Sequence, residues 1–402
     1  MNRAFLRIDV KEGRGRDTIR LIPSTGEARQ YDIPRNALIH ARKELEPCLN
    51  ALKECIGREV GVSPDTSGKA LGQLFHDTRR LMENIFQSLD RVLEIRKFCA
   101  GALLAAATGI EVPIVEVTGP TGEFPFELLP LFGPAPVPER IEDIETFSRR
   151  FLSFVAVVRR APDVPDAAPA QPLTGKPLQL AFTWYQPLAA VQDEHDFFVG
   201  LGERELQLNG PWPAPGVPNV DVVNRLAEGL VDPRLRYSAA RADTEVQVQH
   251  FACHCVAEQD RNFLLLSGCE DDEPRPVTLE TLQSAYTTAW EPYRERLSAD
   301  SVRPLVFLNA CRAGTIDPQR LSSWPMWFIQ RRHRTVIGPM TNVPDVTAAQ
   351  FARLFYEALL ANQSAGKALV LARRELLSKF ANPLGLLYVL YGQPDVVIPP
   401  PP

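Results

Sequence analysis

Two side chains in this sequence have the chemistry and the placement to open an acyl bond. Cys311 follows the apolar run Leu305 to Leu308 and the small residues Asn309 and Ala310, and His254 ends the run Val246 to Cys253. A thiolate attacks a carbonyl carbon, and an imidazole beside it takes the thiol proton and passes it to the leaving amine. Both runs carry enough Val and Phe to read as buried strands. The 57 residues from His254 to Cys311 leave room for one strand and one helix between them. Two such strands lying parallel would present imidazole and thiol at their carboxyl ends. In an open α/β sheet that edge is where ligands and chemistry collect.

Each of these residues also has a plainer reading. Cysteine is among the most buried residue types, so Cys311 alone would pass for core. His250 and His254 share one face of their strand, and Cys253 and Cys255 share the other. No single metal ion gathers all four without breaking the strand, and zinc ligands favour turns. No metal or other cofactor is therefore expected, and His250 reads as a core histidine with its hydrogen bonds met. Asp271, Asp272 and Glu273 read as a solvated loop, with a basic substrate side chain as the alternative. Arg331, Arg332, His333 and Arg334 read as a solvated helix end. Gly119 and Gly122 are followed by no lysine, which excludes a phosphate loop.

The elements that must position the pair emerge from patterning. Residues 1–33 alternate at period two and predict a small β unit. Helical spacing follows at Leu38, Leu45, Leu49, Leu52 and Ile56, and again from Leu71 to about Ala107. Glu111 to Val117 predicts a strand, as does Phe147 to Val158. Ala161 to Pro177 is rich in Pro and Ala and reads as a linker. From Leu178 a β/α rhythm begins. It has strands at Gln179–Trp184, at the His254 and Cys311 runs and at Arg334–Gly338. Helices fall at Val191–Leu201, Asp221–Leu230, from Thr278, at Thr347–Leu360 and at Ser364–Phe380. Residues 203–220 read as an irregular insertion. Strands alternating with helices predict an α/β fold with a mostly parallel, covered sheet.

Composition narrows the class. A chain of 402 residues holds one large domain with a smaller helical one. The net charge of −5 offers no basic surplus for nucleic acid. Seven cysteines, an odd number without framework spacing, fit reduced thiols and predict a cytoplasmic protein. No apolar run reaches membrane-spanning length, and the first residues alternate like a strand rather than a signal peptide.

With these residues in hand, the C-terminal half resembles the CHAT family, cysteine peptidases of the caspase/separase clan. The blocks carrying the resemblance are His250 to His254, Phe307 to Gly314, Thr335 to Asp345, and the helix pair Phe351–Leu360 and Ala365–Arg373. Phe124 to Leu129 is similar to the family's early proline-aromatic-glutamate element. The likeness spans roughly 110–397, and residues 1–108 share little of it. It departs from the family in two places. Cys255 stands where glycine usually follows the histidine, and Thr341 and Asn342 occupy the region of a usual tryptophan.

The resemblance implies a caspase-like fold and a cysteine endopeptidase (a hydrolase) with Cys311 as nucleophile and His254 as base. The amide of Cys311 and one from a His254–Cys255 turn would bind the oxyanion, and Asn309 and Asp345 are candidates for the pocket. It implies a protein or peptide substrate, an activating partner protein, and a setting in bacterial stress or defence. No direct nucleic-acid or membrane partner is expected. The alternative is an inert pseudo-peptidase kept as a binding module, which Cys255 favours. The expected division is an N-terminal β/helical region at 1–108, a first part of the CHAT region at 109–160, the linker at 161–177 and the caspase-like domain at 178–398.

Overall fold

Alternating burial builds the first three strands, β1 (Leu6–Lys11), β2 (Arg16–Pro23) and β3 (Arg29–Pro34), into an antiparallel meander. Leu6, Ile8 and Val10 face inward while Arg7 and Lys11 stay exposed. The computed structural model to which these strands belong describes residues 5–107, 112–119, 124–130, 139–161, 172–173, 175–214, 217, 219–235, 237, 242–258, 261–267, 274–293, 303–310 and 323–399.

Helix α1 (Ala37–Ile56) buries the expected stripe of Leu38, Leu45, Leu49, Leu52 and Ile56. Helix α2 (Pro64–Phe86) starts where Ser63 Oγ accepts the Thr66 amide at 3.1 Å, with proline in the first turn. The single helix expected from Leu71 to about Ala107 is instead two. Gln87 adopts a left-handed φ of 55° and ends α2, and α3 (Leu89–Ala107) begins after Ser88. The apolar spacing runs through the break, so periodicity alone hides it.

β4 (Ile114–Thr118) pairs parallel with β1. The strand expected from Phe147 to Val158 resolves into α4 (Ile141–Ser148), the single turn α5 (Leu152–Val155) and β5 (Val157–Ala161). A short apolar run does not distinguish a buried helical turn from a strand. Next come β6 (Leu178–Trp184), α6 (Val191–Gly200), β7 (Leu206–Trp212) and α7 (Asn219–Val231). β7 falls in the stretch expected to be irregular and pairs parallel with β6. The chain continues through β8 (Val248–Glu258), β9 (Arg261–Leu266), β10 (Arg275–Thr278) and α8 (Leu279–Trp290). It then forms β11 (Leu305–Ala310), α9 (Trp324–Gln330), β12 (Thr335–Pro339), α10 (Asp345–Leu360), α11 (Ala365–Phe380) and β13 (Tyr388–Gly392).

Among the described residues these strands form one 13-stranded sheet. Its order is β10-β9-β8-β11-β12-β13-β5-β4-β1-β2-β3, with β6 and β7 branching from β8. The interior strands β6, β8, β11 and β12 pair parallel and are largely buried, as strands covered on both faces are. On one face Phe198 of α6 and Tyr356 of α10 pack on the ring of His250, and on the other Phe328 of α9 packs on Phe251. The sheet is thus covered on both faces, with the core between the layers.

Buried charges fix the middle of this sheet. Arg160 of β5 holds Glu127 in a two-pronged pair, Nε to Oε1 at 2.8 Å and Nη2 to Oε2 at 2.6 Å. Burial works against the Arg160 charge, but Glu127 and Tyr391 outweigh it and raise the guanidinium pKa. Arg373 of α11 is wholly buried and donates to the carbonyls of Ser153 at 3.0 Å, Gly385 at 3.3 Å and Tyr388 at 2.6 Å. Burial lowers its pKa to about 10, so it stays charged at neutral pH. It anchors the start of β13, and Tyr388 leads directly to the carboxyl edge of the sheet.

Candidate active site

β8 changes partners at its middle. Val248 to Cys253 pair with Leu305 to Ala310 of β11, and from His254 onward β8 pairs with β9, His254 opposite Leu265 and Cys255 opposite Leu264. His254 therefore stands where β8 leaves the central sheet. The turn expected at His254 and Cys255 is absent: the chain stays extended to Glu258, because Cys255 to Ala257 find partners in Asn262 to Leu264.

The face that carries His250 is laid down in cross-strand rows. Phe182, His250 and Phe307 are register partners on β6, β8 and β11. Their rings stack at 5.3 Å on either side of the imidazole. Two residues along, Ala252 is paired with Asn309 on the same face. His254 follows, half-buried, with its ring 5.5 Å from that of Tyr185.

Above the Ala252–Asn309 row lies a narrow cleft of about 20 Å³. Its walls include Cys253 and Ala310 from the strands, Leu188 and Glu194 from the β6–α6 segment, and Val343 and Asp345 from the start of α10. Asp345 Oδ2 lies 3.4 Å from the Ala189 amide, closing the cleft between α6 and α10. At Val343 and Asp345 the cleft meets a wider groove of about 660 Å³, which runs to Lys53, Gly57 and Arg58 at the end of α1. The N-terminal helical region thus supplies one wall of the approach.

Glu194 forms the floor. Asn309 Nδ2 donates to Oε1 at 3.0 Å and to Oε2 at 3.2 Å. His250 Nε2 lies 2.9 Å from Oε1, off the line of a good hydrogen bond. Tyr388 donates its phenol to Asn309 Oδ1 at 2.7 Å, and the Tyr356 phenol lies 2.9 Å from His250 Nδ1. Burial, and then the Glu194 charge, push the Tyr356 phenol well above its ordinary pKa. The protonated phenol and His250 Nδ1 share this hydrogen bond, its donor set by the imidazole tautomer.

Of the residues singled out in the sequence, Asn309 and Asp345 both line the cleft, and His254 sits one residue beyond the Cys253 wall. Cys255 is half-buried in the β8–β9 ladder. Cys311, Asp271, Asp272 and Glu273 lie outside the described residues. Glu194, Tyr356 and Tyr388 were missed. Glu194 had a signal: it shares the inward face of α6 with Val191 and Phe198, whereas Asp193 and Asp196 are not buried. Among the described residues no cluster of three His, Cys, Asp or Glu could hold a metal ion, and no helix is long and apolar enough to cross a membrane.

Comparison with known proteins decides the family. The CHAT domain matches residues 79–383. The chain belongs to the CHAT family. A curated protein similar to part of the chain is a probable protease of Vitiosangium sp. (strain GDMCC 1.1324), 33% identical over 147 residues, which cover 36% of this chain and 18% of that protein. Among solved structures, separase of Saccharomyces cerevisiae in its complex with securin is similar at a TM-score of 0.51 and 10% identity. That match covers 97% of this chain and 30% of separase, and it shows a shared caspase-like fold. The Arg-specific cysteine proteinase gingipain R matches with a TM-score of 0.40 at 10% identity, over 77% of this chain and 68% of that one. The CHAT chain described here thus spans less than a third of the lengths of the first two.

Proposed function

We propose that this CHAT protein is a cysteine endopeptidase in which His254 activates Cys311. The observation that carries the reading is the register of β8 and β11. Cys253 pairs with Ala310 at the carboxyl edge, and His254 and Cys311 each follow one member of that last pair in sequence. Along the described row His250 lies with Phe307 and Ala252 with Asn309, and the proposal is that His254 and Cys311 act together just beyond it.

The chemistry that follows is acyl transfer. The Cys311 sulfur attacks the peptide carbonyl carbon as its proton passes to His254. Backbone amides at the strand ends receive the oxyanion. His254 then protonates the leaving amine, the C–N bond breaks, and a thioester remains. Water, deprotonated by the same imidazole, hydrolyses the thioester and restores the thiol. The polypeptide substrate lies along the groove toward α1. Activation by a protein partner, in a bacterial stress or defence setting, is part of the proposal; separase crystallised with the protein securin gives the precedent of a partner. Cys255, half-buried where the family usually has glycine, favours the second reading, an inert binding module.

Labelling with an electrophilic peptide ketone separates the two, read by peptide mapping beside cleavage of a peptide library. The peptidase reading expects Cys311 to be the labelled residue and Cys311→Ala to be without turnover. His254→Ala should lose at least about a hundredfold in turnover, with alkylation that rises steeply toward the free-thiol pKa of about 8.5. An unlabelled Cys311 in folded protein would support the inert module.

A further inference from the structure

Beneath the cleft lies a set of buried polar groups that a Cys-His mechanism does not use. Glu194 is 4% exposed, Asn309 6% and His250 0%. A carboxylate this deep is unfavourable unless donors meet it, and apolar side chains of the same volume often pack as well or better. Stability alone therefore gives a weak reason for its presence.

The donors come from two particular strands. Asn309 is two residues before Cys311 on β11, and His250 is four residues before His254 on β8. Both polar ends of Asn309 are fixed, the amide by Glu194 and the oxygen by Tyr388. Both ring nitrogens of His250 are approached, one by Glu194 and one by Tyr356. The last described pair of the β8–β11 ladder is Cys253 with Ala310. Next to that pair, side chains add to the backbone ladder in holding β8 and β11 together.

We propose that Glu194 is a positioning residue: its carboxylate ties Asn309 to His250 across β8 and β11, and so sets the distance between the two strand ends that carry thiol and imidazole. This rests on the Cys311–His254 reading. Glu194 does not touch the reacting atoms. It acts through Asn309 and His250, and a small displacement of either strand end would open the proton-transfer contact.

The test compares Glu194→Gln, Glu194→Ala and Asn309→Ala with the parent chain, and uses Cys311→Ala as control. Three quantities are read: kcat and KM on a cleaved peptide, the rate of Cys311 alkylation by iodoacetamide at neutral pH, and the thermal midpoint. Glu194→Ala and Asn309→Ala should lower kcat and the alkylation rate by at least about tenfold, with KM within about twofold. Glu194→Gln keeps an oxygen for the Asn309 amide and should recover part of the loss. Full kcat and full alkylation in folded Glu194→Ala would overturn the proposal. So would losses that vanish once each variant is assayed well below its own midpoint, since those belong to folding. If Glu194→Ala does not fold, Glu194→Gln and Asn309→Ala decide by the same measures. Turnover that survives Cys311→Ala would instead sink the dyad and leave the tie without an object.

Discussion

Arg303 and His333 face each other across the amino ends of β11 and β12, while Asn309 and Ala310 end β11 at the other edge. At the amino edge the polar groups are spent on the chain itself. Arg303 Nη1 donates to the carbonyls of Leu230, at 3.2 Å, and Val231, and its guanidinium lies 5.3 Å from the Trp290 ring. His333 Nδ1 lies 3.0 Å from the Pro304 carbonyl and donates to it. Arg331 lies over Trp327 at 4.0 Å. The run from Arg331 to Arg334, expected to be a solvated helix end, is thus a seal, with His333 2% and Arg334 7% exposed. At the carboxyl edge the buried polar groups instead gather under a cleft. The same strands end in buried polar groups at both edges, and among the described residues the carboxyl-edge groups lie beside a cleft. Burial of charge is no sign of function by itself; burial beside a cleft at the switch of strand partners is.

The largest effect that would sharpen this contrast comes from the sealed edge. Arg303→Met leaves the Leu230 and Val231 carbonyls without their charged donor and removes the contact with Trp290. Unfolding in urea should show a loss of about 3 kcal/mol. Labelling of Cys311 in the folded variant should be unchanged. A fall in labelling as large as that of Glu194→Ala would break the distinction between the edges.

A smaller effect is expected from pH. Burial, with the charges of Arg303 and then Arg331, pushes the His333 pKa down from 6.5 to about 3. Between those values the unfolded chain binds a proton that the folded chain refuses. The stability that neutral His333 supports is therefore complete above about pH 6.5 and is lost as pH falls. The parent chain should lose about 2 kcal/mol relative to His333→Asn between pH 6 and pH 4.5. Parallel stability curves for the two would show that His333 does not carry this dependence.

The smallest effect concerns Cys255. Cys255→Gly should leave iodoacetamide labelling of Cys311 within about twofold and cost roughly 0.5–1 kcal/mol as a strand glycine. Labelling by the bulkier peptide ketone should rise a few-fold as the approach opens. If the variant instead cannot be labelled at all, the reacting sulfur is that of Cys255.

The strands that build the site were legible because each carries enough Val and Phe to read as a strand, and His254 and Asn309 could be picked out toward their ends, with Asp345 at the start of α10. Glu194 was hidden for a local reason: an acidic group at a helix start is also what the helix dipole favours. Its role depends on Asn309 and His250, 115 and 56 positions further along the chain. β7 was hidden by Gly210, Pro211 and Pro213, which read as loop although the strand pairs with β6. The continuation of β8 beyond His254 depends on β9, a partner that alternation in β8 alone does not name.

The meander at the start of the chain has a consequence of its own. β4 is buried on both faces through Ile114, Val115 and Val117, and its outer backbone is taken up by β1. Without residues 1–34 that row of unpaired N–H and C=O groups, flanked by apolar side chains, would be open to any extended chain, including another copy. The meander passes the exposed margin on to β3, where Arg29, Gln30 and Asp32 are solvated and Pro34 lacks a donor. The first strands therefore act as a guard against edge-to-edge self-association, whatever the chemistry at the far side of the sheet.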